Sequence, residues 1–381
     1  VRLLDMERVE VLRGPQPALY GEGSMGGTIR YVTAKPDLAA FGGSGLAEVR
    51  FPRGGDTGYR VEGVVNAPLS PDTVGLRLAA THEKDAGWID GAPGNNLNGR
   101  DTTTARATLL AKASDAFTVT ATGLYHESDQ LYKSYSNATK DRTAQIVPSN
   151  AKQRYWLGTF NLEYDAGPFT VLSATGYLDQ KGRSVDDSGP FYNKLFGAPL
   201  LRTALTDASG QLKKFNQELR VASNGSGPFT YLFGASYTDG KNHNVTDGNG
   251  ESLVPGLPAS ALGVVFNIVG DTRSRIFAAY GSLGYTIADR VTIDLGGRYF
   301  RDRRTNDSTF TLVGFGPPRL TNQKATFDSF NPRVAVSIKT GGSGILYANA
   351  AKGFRSGGFN SITGTGVPVS FDPEKLWSYE L

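Results

Sequence analysis

Phe117-Thr118-Val119-Thr120-Ala121-Thr122-Gly123-Leu124-Tyr125 is the stretch whose reading decides the fold. Phe117, Val119, Ala121, Gly123 and Tyr125 alternate with Thr118, Thr120 and Thr122. An extended chain sends successive side chains to opposite faces, so this segment has one apolar and one polar side. The same period of two recurs along the chain. Tyr59, Val61, Gly63, Val65 and Ala67 oppose Arg60, Glu62 and Asn66, and Val74, Leu76, Leu78 and Ala80 oppose Arg77, Thr81 and Glu83. Ala105, Ala107, Leu109 and Ala111 face away from Thr104, Arg106 and Thr108, and Leu219 and Val221 from Asn216, Glu218 and Arg220. Val291, Ile293, Leu295, Gly297 and Tyr299 oppose Thr292, Asp294 and Arg298.

Segment length selects the environment. Soluble strands run about 5–6 residues, whereas membrane-crossing strands need about 9–11. The segments here fit the longer class, and their apolar faces end in aromatics at Tyr125, Trp156, Tyr164, Tyr237, Tyr285 and Tyr299, as interfacial girdles do. Composition agrees. The 381 residues include 48 glycines and no cysteine, with 40 Lys+Arg against 36 Asp+Glu for a net charge of +4. Without cysteine, disulfide scaffolds, thiol nucleophiles and Cys-based zinc sites are excluded. The small, unclustered charge excess gives no case for nucleic acid. No run approaches the ~18 apolar residues of a spanning helix, so a membrane role must use strands. A mean hydropathy of −0.30 fits a barrel whose polar lumen and long loops average out a lipid-facing stripe.

Connections alternate in length. Short turns are expected at 66–72, 113–115, 165–168, 224–228, 288–289 and 340–343. Long polar loops are expected near 84–100, 128–151, 183–212, 242–272, 304–322 and 355–374. That rhythm predicts an all-β membrane protein, an antiparallel barrel with about 14 strands present. Residues 1–41 stand apart as a compact mixed segment with a strand pattern at Met6–Leu12 and another at Gly26–Thr33.

Four blocks in that segment, Glu7-Arg-Val-Glu-Val-Leu-Arg-Gly-Pro-Gln16, Leu19-Tyr-Gly21, Gly26-Gly-Thr-Ile29 and Thr33-Ala-Lys-Pro36, resemble the end of the plug domain of TonB-dependent outer-membrane receptors. Asn331-Pro-Arg-Val334, Lys352-Gly-Phe-Arg-Ser-Gly-Gly-Phe-Asn360 and Pro373-Glu-Lys-Leu-Trp-Ser-Tyr-Glu-Leu381 resemble that family's barrel signatures, in the family's order. The resemblance implies a plugged barrel of about 22 strands. It divides the chain into plug C-terminus, 1–41, and the first part of the barrel, 42–381. With Val1 at the start and methionines only at Met6 and Met25, the chain reads as an internal fragment lacking signal peptide and TonB box. The implied function is transport and not catalysis. A scarce ligand, a ferric siderophore first among candidates, would be taken up by energy from the TonB–ExbB–ExbD complex, with outer-membrane lipid as the surroundings and no cofactor. A passive porin and a soluble β-rich adhesin or carbohydrate-binding protein are the alternatives.

The plug motif residues Glu10, Arg13, Gly14, Pro15, Tyr20, Gly21, Gly26 and Gly27 are the candidate structural site. An arginine inside a barrel needs carboxylates, and the family locks plug to barrel through such clusters. Arg13 is therefore expected to pair with a lumenal carboxylate, Glu380 first and Glu218 second; a solvated loop arginine is the alternative. Gly21-Glu-Gly-Ser-Met-Gly26 also matches the dinucleotide fingerprint G-x-G-x-x-G, but a β-branched run follows where that site needs a helix. His82, His126 and His243 lack metal-ligand spacing. Loop aromatics and bases, Tyr132, Lys133, Tyr135 and Arg142 in one loop and Phe191 and Tyr192 in another, suit an anionic aromatic chelate.

Overall fold

The computed structural model describes residues 3–16, 21–91, 94–131, 142–143, 147, 149–225, 227–342, 344–360 and 368–381. Two strands, β1 (Met6–Arg13) and β2 (Gly27–Thr33), form a separate antiparallel hairpin. Fourteen further strands follow: β3 (Gly42–Arg50), β4 (Gly58–Ser70), β5 (Val74–Asp85), β6 (Arg100–Ser114), β7 (Phe117–Leu131), β8 (Asn150–Asp165) and β9 (Phe169–Asp187). The series continues with β10 (Leu201–Ser223), β11 (Phe229–Ser252), β12 (Phe266–Ile287), β13 (Val291–Leu312), β14 (Arg319–Lys339), β15 (Ile345–Arg355) and β16 (Glu374–Glu380). They pair in strict chain order in one 14-stranded antiparallel sheet, with β3 and β16 at its two edges.

Cross-strand register turns the sequence alternation into two surfaces. Tyr285 on β12 pairs with Phe229 on β11 and Ile293 on β13, and eight residues further along β11 Tyr237 pairs with Phe277 on β12. Between those rungs the outward face is apolar, with Phe233 51% and Leu295 51% exposed to the surroundings. Eight residues at about 3.3 Å each, tilted about 40°, separate the two rungs by about 20 Å along the axis, so the band with its girdles matches the ~25 Å lipid-facing wall of a barrel. In water such a surface would be costly; in hydrocarbon it is the favourable one. The opposite face holds Arg77, Thr81, Glu83, Thr104, Arg106, Thr108, Arg298 and Asp302, and the β1–β2 hairpin lies against it. Leu4 packs on Val64 and Ala79 at that contact, and within the wall Ala278, Phe300 and Phe354 form a second small cluster. The two phenylalanines meet edge to face at 4.8 Å.

The expected short turns are present, including Ala288 and Asp289, both at positive φ, between β12 and β13. Two expectations need correction. Strand β4 continues through 66–70, so the first turn is only 71–73. The long connections are also shorter than expected, because β9 to β14 run 19 to 24 residues and carry their ladders past the apolar band. Outside the membrane both faces are polar, so no hydrophobic alternation betrays the strand while the backbone ladder continues. The 183–212 connection contains a helix, α1 (Gly189–Phe196), with Pro190 in its first turn and Gly197 at φ 69 closing it.

The two faces make a direct prediction for the full-length protein in lipid vesicles. Phe233→Arg, in the middle of the apolar band, should cost about 2–4 kcal/mol in denaturant unfolding. Gln180→Lys on the inner wall should stay within about 0.5 kcal/mol of wild type.

Candidate functional site

The site is built where the hairpin meets the inner wall. Just before β1, Asp5 adopts φ 49 and turns its carboxylate to the barrel. Arg77 on β5 binds it in fork geometry, Nε at 2.8 Å and a terminal nitrogen at 2.6 Å. Arg106 on β6 adds a third bond at 2.8 Å and donates also to the carbonyl oxygens of Leu4 (3.0 Å) and Asp5 (2.8 Å). The side chains of Asp5 and Arg106 are only 6% and 4% exposed. Hydrogen bonds from Arg77, reinforced by both guanidinium charges, hold the Asp5 carboxyl below the usual carboxylate range in spite of burial. Beyond β2, Asn66 on β4 donates to the carbonyls of Asp37 and Ala40 and accepts from the Asp37 N–H, fastening the exit of the segment to the same wall.

A second contact forms around the 21–25 loop. Gly21, at φ 76, lies under the Arg298 guanidinium, and the Gly23 N–H donates to the Phe354 carbonyl at 3.1 Å. Arg298 is buried, sits 4.9 Å over the Tyr280 ring and donates to Ser236 Oγ at 3.3 Å. Tyr280 in turn donates to Glu218 at 2.6 Å, crossing Gly234, where a Cβ would collide with its ring. Asp302, fully buried, accepts from Ser274 (2.6 Å), Ser356 (3.0 Å) and Arg304 (2.6 Å), and Arg304 reaches Glu22 at 4.0 Å. Burial pushes the Glu22 carboxyl up, with Arg304 opposing.

The sequence-derived candidates fall as follows. Glu10 pairs with Arg8 and Arg30 on the exposed face of the hairpin, at 2.7 and 3.1 Å. Pro15 is buried against Gly353, and the Gly14 N–H bonds to the Gly26 carbonyl at 3.2 Å. Gly27, at φ 150, leaves no room for a Cβ, which would stand 2.6 Å from the Leu12 carbonyl oxygen. Strand β2 follows the G-x-G-x-x-G run, so no helix N-terminus is there to hold a pyrophosphate. Arg13 is exposed at the end of β1 and forms no ion pair among the described residues. Glu218 is occupied by Tyr280, and Glu380 accepts from Tyr347 at 2.9 Å. Tyr20, Tyr132, Lys133 and Tyr135 lie outside the described residues, as does the side chain of Arg142, whose backbone pairs in parallel with Asp90. On α1, Phe191 is exposed, while Tyr192 packs toward the Leu201–Ala204–Ala259–Val264 cluster.

Asp5 was not singled out in the sequence. Its signal is a carboxylate in the apolar run Leu3-Leu4-Asp5-Met6, together with Arg77 and Arg106 among the small inward residues of adjacent strands.

Above the hairpin the inner wall opens into two adjoining concavities, of about 670 and 630 Å³, which share Arg100 and Gln130. Lys152, Gln153 and Gln180 line one; Arg50, Phe51 and Trp88 line the other. Arg50 is gripped by Glu48, Glu83 and Asp85, so its charge is spent internally.

Residues 45–381 match the family described as TonB dependent receptor-like, beta-barrel, and residues 1–28 match the TonB-dependent Receptor Plug Domain. The chain belongs to the TonB-dependent receptor family. The receptor is thus an outer-membrane β-barrel protein with a plug segment. It is 22% identical over 400 residues to the pesticin receptor of Yersinia enterocolitica, covering 100% of this chain and 54% of that protein. To the metal-pseudopaline receptor CntO of Pseudomonas aeruginosa it is 24% identical over 404 residues, covering 98% and 53%. Among solved structures it superposes on the ferric yersiniabactin uptake receptor FyuA from Yersinia pestis with a TM-score of 0.83 at 18% identity, over 99% of this chain and 56% of that one. The receptor chain therefore spans about half the length of the relatives it matches.

Asp5 and Glu22 give opposite expectations in the full-length receptor. Asp5→Asn leaves two arginines facing a neutral group and should cost about 3–5 kcal/mol. With a lowered folded pKa, the Asp5 contribution is fully present above about pH 4 and is lost as pH falls through the folded value. Glu22→Gln should be neutral or stabilising at pH 8, since burial disfavours the charged form. Thermal unfolding of both variants at pH 8 and about pH 2 checks this; equal melting shifts at the two pH values for Asp5→Asn would contradict it.

Proposed function

We propose that this chain supplies the end of the plug and the first part of the barrel wall of a receptor that imports a ferric siderophore across the outer membrane. The observation that carries the reading is a plug segment fastened by buried ion pairs to a polar inner wall beneath an open, polar vestibule. An open pore has no use for that fastening. A force-driven carrier does, because a contact costly to break one-sidedly holds until work is done on it. The energy source in this reading is proton-motive force delivered through TonB–ExbB–ExbD. The named relatives are receptors, several of them for metal chelates, and that chemistry suits a vestibule lined by Arg100, which Asp85 holds, and by the amides of Gln130, Gln153 and Gln180. Tyr132, Lys133, Tyr135, Arg142, Phe191 and Tyr192 are kept as the candidate ligand contacts. We place the plug–barrel boundary at 41/42, supported by β3 beginning at Gly42. Arg13 remains a candidate second latch toward Glu380, which Tyr347 already engages.

Uptake of radioactive ferric siderophores by an iron-starved deletion strain carrying the full-length gene is the test. Accumulation should depend on the gene and stop when an ionophore collapses the proton gradient. Accumulation that survives the ionophore would mean a passive porin, and no gene dependence for any ferric siderophore would remove the iron assignment.

A further inference from the structure

The inner wall above the hairpin carries a charge pattern that bears on the kind of chelate it can hold. On β7 to β13 three successive rows of inward side chains run across the sheet. They start at His126, Ser128 and Gln130 and end at Asn306, Ser308 and Phe310. No position in these rows holds Asp, Glu, Lys or Arg. One row deeper, charge returns with Lys214 and Arg304, and Arg304 reaches Glu22 of the 21–25 loop at 4.0 Å. The concavity of about 670 Å³ opens on the uncharged rows, with Gln153, Gln180, Asn242 and Asn244 in its lining. These four side-chain amides form no hydrogen bond among the described residues. Asn244 lies over Gly210, where a Cβ would collide with its amide oxygen. The cations bordering the concavity are engaged: Arg100 by Asp85, Lys152 by Glu127 and Asp129, and Arg183 by Asp207.

Each free amide offers two N–H donors and a carbonyl acceptor. Water serves them while the vestibule is open, but a ligand that covers them must bring acceptors and donors of its own. Charge is the harsher test. An anion that leaves water without meeting a countercharge costs far more than a neutral polar group. A ferric tris-catecholate carries three net negative charges, and the three rows hold no lysine or arginine to meet them. A ferric tris-hydroxamate is neutral, because its three ligands cancel the charge of the iron, and it shows oxygen acceptors to its surroundings. The volume suits a ligand of that size. The loop bases Lys133 and Arg142, whose side chains lie outside the described residues, suit an anionic chelate; the wall suits a neutral one. Resting on the iron-chelate reading above, we propose that this wall selects a neutral ferric tris-hydroxamate over a trianionic ferric tris-catecholate.

Isothermal titration calorimetry of the full-length receptor in detergent tests the assignment. The probes are two ferric chelates on one triamide scaffold, one with hydroxamate arms and the other with catecholate arms. Wild type should bind the hydroxamate chelate at least about 30-fold more tightly. That affinity should change less than about twofold between low and high salt, because no ion pair forms. The Gln153→Lys/Gln180→Lys pair should gain at least about tenfold for the catecholate chelate and lose affinity for the hydroxamate one. If the pair fails to give the folded, heat-modifiable form, Gln180→Lys alone reads the same gain. Equal or tighter binding of the catecholate chelate by wild type, or no gain in a folded lysine variant, would overturn the neutral-chelate assignment and leave the siderophore reading standing. Binding of neither chelate would remove the siderophore reading, and this inference with it.

Discussion

Everything in this structure follows from a sheet that must show apolar side chains to lipid and therefore turns its polar ones inward. Polar and charged groups removed from bulk water need partners, and an arginine without one is expensive. The inner wall of β5 and β6 presents Arg77 and Arg106, and the partner comes from another part of the chain, Asp5. The fold of the wall and the seating of the hairpin are thus one electrostatic problem. Around the 21–25 loop the solution differs in kind: Gly21 accepts a guanidinium face, Gly23 lends its N–H, and Asp302 is satisfied within the barrel by two hydroxyls and Arg304.

The two contacts have different mechanical characters. Buried ion pairs add little net stability when made but cost several kcal/mol when one partner leaves alone. The Asp5 contact is therefore short-ranged and brittle. The Glu22 contact, at 4.0 Å with a carboxyl that burial disfavours, is soft. A pull on the hairpin meets one stiff anchor and one compliant one.

Much of this was legible in the sequence. Alternation at 117–125, 59–67 and 291–299 gave strand, face and environment together, because lipid on one side and a polar lumen on the other imprint period two on the residues. The tight turns followed from Pro, Gly, Asn and Asp at the short connections. The strand extensions beyond the aromatic rung were not legible, since both faces there are polar and the ladder is held by backbone bonds that composition does not mark. Helix α1 left only its Pro190 and Gly197 signals. The latch was sought at Arg13, the charge ending an apolar strand. The buried ion pair lies at the other end of β1, where the arginines belong to the barrel and the carboxylate to the hairpin. A pairing across 72 or 101 residues has no local sequence signature.

The most direct test of this account is a double-mutant cycle between Asp5→Asn and Arg106→Met in the full-length receptor, read by denaturant unfolding in lipid vesicles at pH 8. The account predicts a coupling energy of at least about 1 kcal/mol, since Asp5→Asn leaves the buried Arg106 without its carboxylate and the double change removes that charge, while Arg77 stays in both backgrounds. Single effects that add within about 0.5 kcal/mol would show that the hairpin is held by something else.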